Sequence, residues 1–237
     1  MSSTAKKLIA ITKKLATQVD QIKFGKPVSC VYNPLRYAWS AHEDYLKRYS
    51  NGAKEWILLG MNPGPFGMAQ TGIPFGEVSS VRDWLGIETT VLQPTQVHPK
   101  RPITGFSCHR HEISGQRLWG WAKARFVTPE QFFKQFFVIN YCPLFFIKND
   151  GTNLTPDKLC AADRQQLFTF CDQALSEMVT VLAARGIVGV GNFAKTRAIA
   201  ALANQQLKIT TVPHPSPANP RANSGWSQLM DNCLLLA

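Results

Sequence analysis

Two side chains in this chain are placed to do chemistry together, Asn62 and His214. Asn62 sits in Gly60-Met61-Asn62-Pro63-Gly64-Pro65, directly after the apolar run Trp56-Ile57-Leu58-Leu59. Gly60 and Gly64 let the backbone approach a ligand closely, and Pro63 and Pro65 stiffen the turn. An amide there offers both a donor and an acceptor. His214 opens His-Pro-Ser-Pro, directly after the run Ile209-Thr210-Thr211-Val212 and Pro213. Two prolines in four residues make an extended, low-entropy loop. Read alone, Asn62 could simply stabilise a tight turn, and a histidine is more often a structural hydrogen-bonder than a catalyst. Their shared position at the ends of apolar runs favours chemistry.

Two further residues belong beside them. Phe75, in Ile73-Pro74-Phe75-Gly76, could stack on a planar ligand, although most of the 14 phenylalanines must serve the core. Asn140 ends the run Phe136-Phe137-Val138-Ile139, where an amide must be paired. A ligand edge and a backbone group would pair it equally well. Two other motifs carry less. Gly189-Val190-Gly191-Asn192-Phe193-Ala194 fits a dinucleotide fingerprint, but no acidic residue stands about 20 residues on to hold a ribose. It reads as tight strand–helix packing, and no cofactor is expected. Cys108-His109-Arg110-His111 holds three metal-ligating residues, yet four adjacent loop residues cannot readily make tetrahedral zinc, and no metal is expected.

Elements must position these groups. Ser3 or Thr4 can cap a helix to about Ile22, with Leu8, Ile11, Leu15, Val19 and Ile22 on one face and lysines 6, 7, 13 and 14 solvated. Residues 24–50 are mixed, with a turn at Tyr32-Asn33-Pro34. Strands are expected at 56–59, 136–140, 187–191 and 209–212. Helices are expected at 78–85, 116–125, from Pro129, at 163–184, at 193–203 and from about 225 onward. Residues 88–111 read as a long loop. Strands alternating with helices argue for a parallel sheet covered on both faces. In such sheets, sites gather beyond the carboxyl ends of the strands, where Asn62, Asn140 and His214 all fall.

The chain has 237 residues, 45% of them hydrophobic, which suits a single α/β domain over 1–237 with the basic N-terminal helix (1–25) packed on it. Lys and Arg number 26 against 15 Asp and Glu, a formal net charge of +11 that favours a phosphate backbone as partner. The six cysteines form no C-x-x-C pair, so neither a zinc ribbon nor a disulfide scaffold is indicated. No apolar run reaches the ~18 residues of a membrane span, and no signal core follows the N-terminus. A monomer is expected, nuclear in a eukaryote and cytoplasmic, at the nucleoid, in a bacterium.

Together the loops at 58–77 and 214–226 resemble the active-site signatures of the uracil-DNA glycosylase superfamily, and more specifically its single-strand-selective monofunctional family. The resemblance extends to Val81-Arg82-Asp83-Trp84-Leu85-Gly86, His98-Pro99-Lys100-Arg101-Pro102, Asn140-Tyr141-Cys142-Pro143-Leu144 and Asn153-Leu154-Thr155-Pro156. It implies a three-layer α/β/α sandwich around a four-stranded parallel sheet. The implied reaction is hydrolysis of the glycosidic bond of uracil and of 5-modified uracils such as 5-hydroxymethyluracil, in single- and double-stranded DNA, on a base flipped from the stack. Asn62 would orient the water and His214 would stabilise charge on uracil O2. Phe75 would stack on the base and Asn140 would read its N3–H and O4 edge, in a pocket bounded by Met61. The smallness of Gly64 would leave room for 5-substituents. Residues 215–221 (Pro215, Ser216, Pro217, Ala218, Asn219, Pro220, Arg221) would enter the duplex. The family often has Arg directly after His-Pro-Ser-Pro, and this chain has Ala218. Either Arg221 substitutes or the duplex is held less tightly. The competing readings are a same-fold glycosylase for another deaminated base, xanthine or hypoxanthine, and a non-catalytic binder of damaged DNA.

Overall fold

The strands that carry the site are apolar because both their faces are covered. In the computed structural model, which describes residues 1–235, β1 (Val28–Tyr32) follows the N-terminal helix α1 (Ser3–Asp20), and short helices α2 (Pro34–Tyr37) and α3 (Trp39–Tyr49) lead to β2 (Trp56–Gly60). Every residue of β2 is buried. After α4 (Met68–Thr71) comes a π-helical turn (Ser80–Trp84), then the loop to α5 (Ile113–Arg125), α6 (Pro129–Gln135) and β3 (Phe136–Asn140). Strands β4 (Phe145–Lys148) and β5 (Asn153–Leu154) precede the long α7 (Ala161–Val181), then β6 (Gly186–Val190), α8 (Asn192–Ala201), β7 (Lys208–Val212), α9 (Pro220–Asn223) and α10 (Trp226–Leu235).

The central sheet is four-stranded and parallel, in the order β3-β2-β6-β7. Leu58 of β2 faces Val138 on one side and Val188 on the other, and Val188 faces Thr210. Helices flank this sheet, giving the expected three-layer α/β/α architecture. One large cluster joins Ile57, Leu58 and Leu59 to Phe137, Val138, Ile187 and Val188 and to buried faces of α1, α3, α5 and α7. Helix α1 starts where Ser2 accepts the N–H of Ala5, and its face of Leu8, Leu15 and Val19 is buried. Of its lysines, Lys14 pairs with Glu177 and Lys13 lies over the Trp39 ring near Glu43.

Three expectations need correcting. A second sheet, antiparallel and ordered β1-β4-β5, was not foreseen; Tyr32 pairs with Phe145 and Ile147 with both Cys30 and Asn153. Residues 78–85 form a wider turn than an α-helix, with Leu85 donating to the Ser80 carbonyl five residues back. Helix α5 begins at Ile113, three residues earlier than the sequence suggests.

Candidate active site

Past the end of β2 the chain stays tied to its neighbour. Tyr141 N–H donates to the Gly60 carbonyl and Cys142 N–H to that of Met61, each at 2.9 Å. This extension carries Asn62 to the carboxyl end of the sheet. Its Nδ2 donates to the Leu144 carbonyl at 3.2 Å, and only the NH2 group can do so. The amide is thereby oriented, with Oδ1 left as an acceptor that no described residue's donor meets.

Phe75 is held in a conformation that costs energy. Its φ of 53° lies in the left-handed region, unusual for a bulky residue. Two donors fix its carbonyl, the Glu77 N–H at 2.7 Å and the Trp119 Nε1–H at 3.0 Å. Strain of this kind persists where surrounding structure over-determines it, and it marks functional sites. Gly60 makes room for the ring, since a Cβ there would lie 2.6 Å from Phe75 Cε2 and 2.2 Å from Asn140 Oδ1. Asn140 itself ends β3. Among the described residues its Nδ2 reaches only the Met68 Sδ, a weak acceptor, at 3.2 Å. The backbone-paired alternative for this amide is not what the fold adopts.

His214 follows β7, and its ring centroid lies 6.3 Å from that of Phe75. The Ser216 backbone N–H donates to Nδ1 at 3.2 Å. A nitrogen that accepts from an amide carries no proton, so the neutral ring bears its hydrogen on Nε2. Burial lowers the pKa to about 4, which keeps the ring neutral at pH 7. Gly191, at φ 96°, lies against the residue: a Cβ there would sit 3.3 Å from His214 Cβ.

The loop after His214 is braced from within. Asn219 Nδ2 donates to the His214 carbonyl (3.0 Å), and Trp226 Nε1 donates to that of Pro213 (2.7 Å). Arg117 reaches from α5 to the Pro215 carbonyl (3.0 Å) and to Asn223 Oδ1 (2.8 Å). Pro215 is buried and Ser216 half-buried, while Pro217, Ala218, Pro220 and Arg221 are exposed. The outer face of this loop is therefore rigid and free.

Asn62, His214, Phe75, Asn140, Met61 and Gly64 all line one cavity of about 50 Å³. A larger cleft of about 680 Å³ lies at the opposite end of the sheet, against Trp56, Arg185 and Leu207, but gathers no comparable set of groups. Met68, Ser114 and Glu112 complete the cavity wall, and sequence reasoning missed all three. Glu112 matters most. Its Oε2 accepts the Phe66 N–H at 3.2 Å, and a Cβ on Gly64 would lie 2.4 Å from the same oxygen. The space beside Gly64 is thus filled by a carboxyl. Burial raises the Glu112 pKa, opposed by the N–H groups of Phe66 and Gly67. One sequence signal could have found it: Glu112 is the only acidic residue between Glu88 and Glu130.

The Cys108–His111 run makes no metal cluster; among the described residues no group of three ligating side chains gathers anywhere. His111 Nδ1 instead meets Glu77 Oε1 at 2.9 Å. Burial opposes ionisation of Glu77, but His111, the Ser80 N–H and the Ser79 and Ser80 hydroxyls together hold its pKa below the usual value. Gly189 packs as expected, since a Cβ would stand 2.5 Å from the Lys195 nitrogen.

Two amides, a neutral imidazole and an aromatic ring thus share one cavity, a set that can stack on a planar ring, hydrogen-bond its edge and stabilise charge developing on it. The model of the uracil DNA glycosylase superfamily matches residues 47–234. The single-strand selective monofunctional uracil-DNA glycosylase of Rattus norvegicus is 50% identical over 215 residues, covering 90% of this chain and 77% of that protein. The protein of that name from Bos taurus is 48% identical, covering 90% and 79%. In structure, wild-type SMUG2 of Pedobacter heparinus superposes with a TM-score of 0.72 at 20% identity, covering 98% of this chain and 95% of that one. The chain belongs to the uracil-DNA glycosylase superfamily and, within it, to the family of single-strand-selective monofunctional enzymes.

Proposed function

We propose that this protein, acting as a monomeric domain, removes uracil and polar 5-modified uracils from single- and double-stranded DNA by flipping the nucleotide into the cavity and hydrolysing its glycosidic bond. Family membership supports the monofunctional uracil-DNA glycosylase activity and a place in base excision repair. The finer statements rest on geometry, and above all on Asn62 and His214 lining the same cavity as Phe75 and Asn140. The compartment would follow the DNA, nuclear in a eukaryote and at the nucleoid in a bacterium.

Each group has a role that its environment favours. Phe75, in a fixed strained conformation, stacks on the ring. Asn140 exchanges its weak sulfur acceptor for uracil O4 and accepts the N3–H, a pairing cytosine cannot match. His214 donates Nε2–H to O2 as the bond between N1 and C1′ breaks and its electron pair passes to the base. Asn62 Oδ1 accepts from the water whose oxygen bonds C1′, and the water's proton ends on the departing uracil. The sugar is cationic at that moment, so positioning matters more than a strong base. A 5-hydroxymethyl group beside Gly64 would meet the Glu112 carboxyl as a hydrogen-bond partner. The methyl of thymine would only bury that carboxyl without pairing it.

The test is excision from labelled oligonucleotides carrying uracil, 5-hydroxymethyluracil or thymine, with alkali to cut abasic sites. Wild type is expected to act on the first two only, and folded Asn62→Ala and His214→Leu variants on none. Folded wild type inert on uracil would overturn the reading. Xanthine and hypoxanthine would then be tried, with binding alone as the last alternative.

A further inference from the structure

The run Cys108-His109-Arg110-His111 is not absorbed by the chemistry, yet it is built with care. The Arg110 guanidinium lies 3.9 Å from the centroid of the Phe66 ring, and that of Arg101 lies 6.0 Å from it. Phe66 is half-buried and follows Asn62 by four residues, so its ring stands on the catalytic loop. Arg110 is exposed and makes no ion pair among the described residues. The two residues that follow it are anchored by their side chains. Glu112 holds the Phe66 N–H, and His111 holds Glu77. A cation resting on an aromatic face beside such anchored neighbours has lost much of its side-chain entropy before any partner arrives. His109 beside it and Lys100 beside Arg101 in sequence are exposed, and Glu112, the nearest acid in sequence to Arg110, is turned inward to the cavity wall.

The opposite lip of the cavity is poor in charge. The exposed face of the loop after His214 carries Ala218, and Arg221 is the only cation in residues 215–221. The arginines beside Phe66 therefore supply positive charge that this loop largely lacks. We propose that Phe66, Arg101 and Arg110 form a docking site for the DNA strand that carries the target base, with the Arg110 guanidinium contacting a phosphate beside the flipped nucleotide while resting on Phe66. A single strand fits this lip because it offers phosphate and base together, and a stacked guanidinium can meet both. The inference rests on the reading that the cavity receives a base from DNA.

The test is binding of a labelled single-stranded oligonucleotide containing a tetrahydrofuran abasic analogue, followed by fluorescence anisotropy between about 50 and 200 mM salt. Each phosphate contact on a single strand contributes a slope of about 0.7 in log Kd against log salt. Arg110→Gln is expected to lower the slope by about 0.7 and to weaken binding about threefold to tenfold near 0.1 M salt. Arg110→Lys should restore the slope without restoring full affinity, and Phe66→Leu should weaken binding with the slope kept. Lys7→Gln removes an exposed charge on α1 and should match wild type. On a uracil strand the Arg110→Gln loss should fall on KM. An unchanged slope in Arg110→Gln, or an equal loss in Lys7→Gln, would overturn the proposal. Failure of wild type to excise uracil would sink the proposed function instead and leave this binding contrast readable.

Discussion

The neutral state of His214 makes a sharp prediction about pH. Its Nδ1 accepts a backbone N–H, and burial lowers its pKa to about 4. At pH 5.5 an ordinary histidine of pKa 6.5 would be only about 10% neutral, whereas this one would be about 97% neutral. If the neutral ring is the electrophile, single-turnover excision should hardly change between pH 7.5 and 5.5, where an ordinary histidine would cause a tenfold fall. His214→Leu should lose about 10²–10³ in rate at every pH in that range, the usual cost of one oxyanion donor. Burial also raises the Glu112 pKa, so the profile should be repeated in Glu112→Gln. Folding must be followed in parallel. His42 is also buried, its Nδ1 against the Gly72 carbonyl at 2.7 Å, and is likewise lowered to about 4. For both histidines the unfolded chain binds more protons between pH 6.5 and 4. Stability is therefore full above 6.5 and is lost as pH falls, by up to about 3 kcal/mol per ring. A rate that rises on acidification, or falls with a midpoint near 6.5 in folded protein, would refute the neutral-donor argument.

Other perturbations follow from the same contacts. Gly60→Ala should fold, but its Cβ would press on Asn140 Oδ1 and Phe75 together. A shift of about 1 Å in such groups can cost about a hundredfold in kcat/KM, so activity within threefold of wild type would count against their roles. Ala218→Arg adds a cation to the rigid, exposed loop and should slow release of duplex abasic product about tenfold, as a new charge-assisted contact would; equal release rates would mean the loop is not the wedge. Lys54 is buried, and its ammonium donates to the carbonyls of Tyr49, Asn51 and Phe133, closing the ends of α3 and α6. Lys54→Met should cost about 2–3 kcal/mol and lower Tm by roughly 5–10 °C without touching the cavity, as thermal melts with excision assays would report.

What could be read from the sequence was what burial writes into it. A parallel strand covered on both faces must be apolar throughout, so 136–140 was placed to the residue and 56–59 missed only Gly60. Carboxyl-end geometry then brings Asn62, Asn140 and His214 together from the sequence alone. The small antiparallel sheet left no such trace. Its strands are short, and pairing Cys30 with Ile147 is a long-range decision that no local pattern encodes. Glu112 was hidden for a related reason. Its partner is a backbone N–H 46 residues away, and backbone groups have no signature in sequence. The consequence reaches the specificity of the site. Gly64 alone suggests an open space for 5-substituents, and only the fold reveals that a carboxyl occupies it. On the function proposed above, the cavity would select by polarity as well as by size, since a buried carboxyl rewards a substituent that can hydrogen-bond and penalises one that cannot.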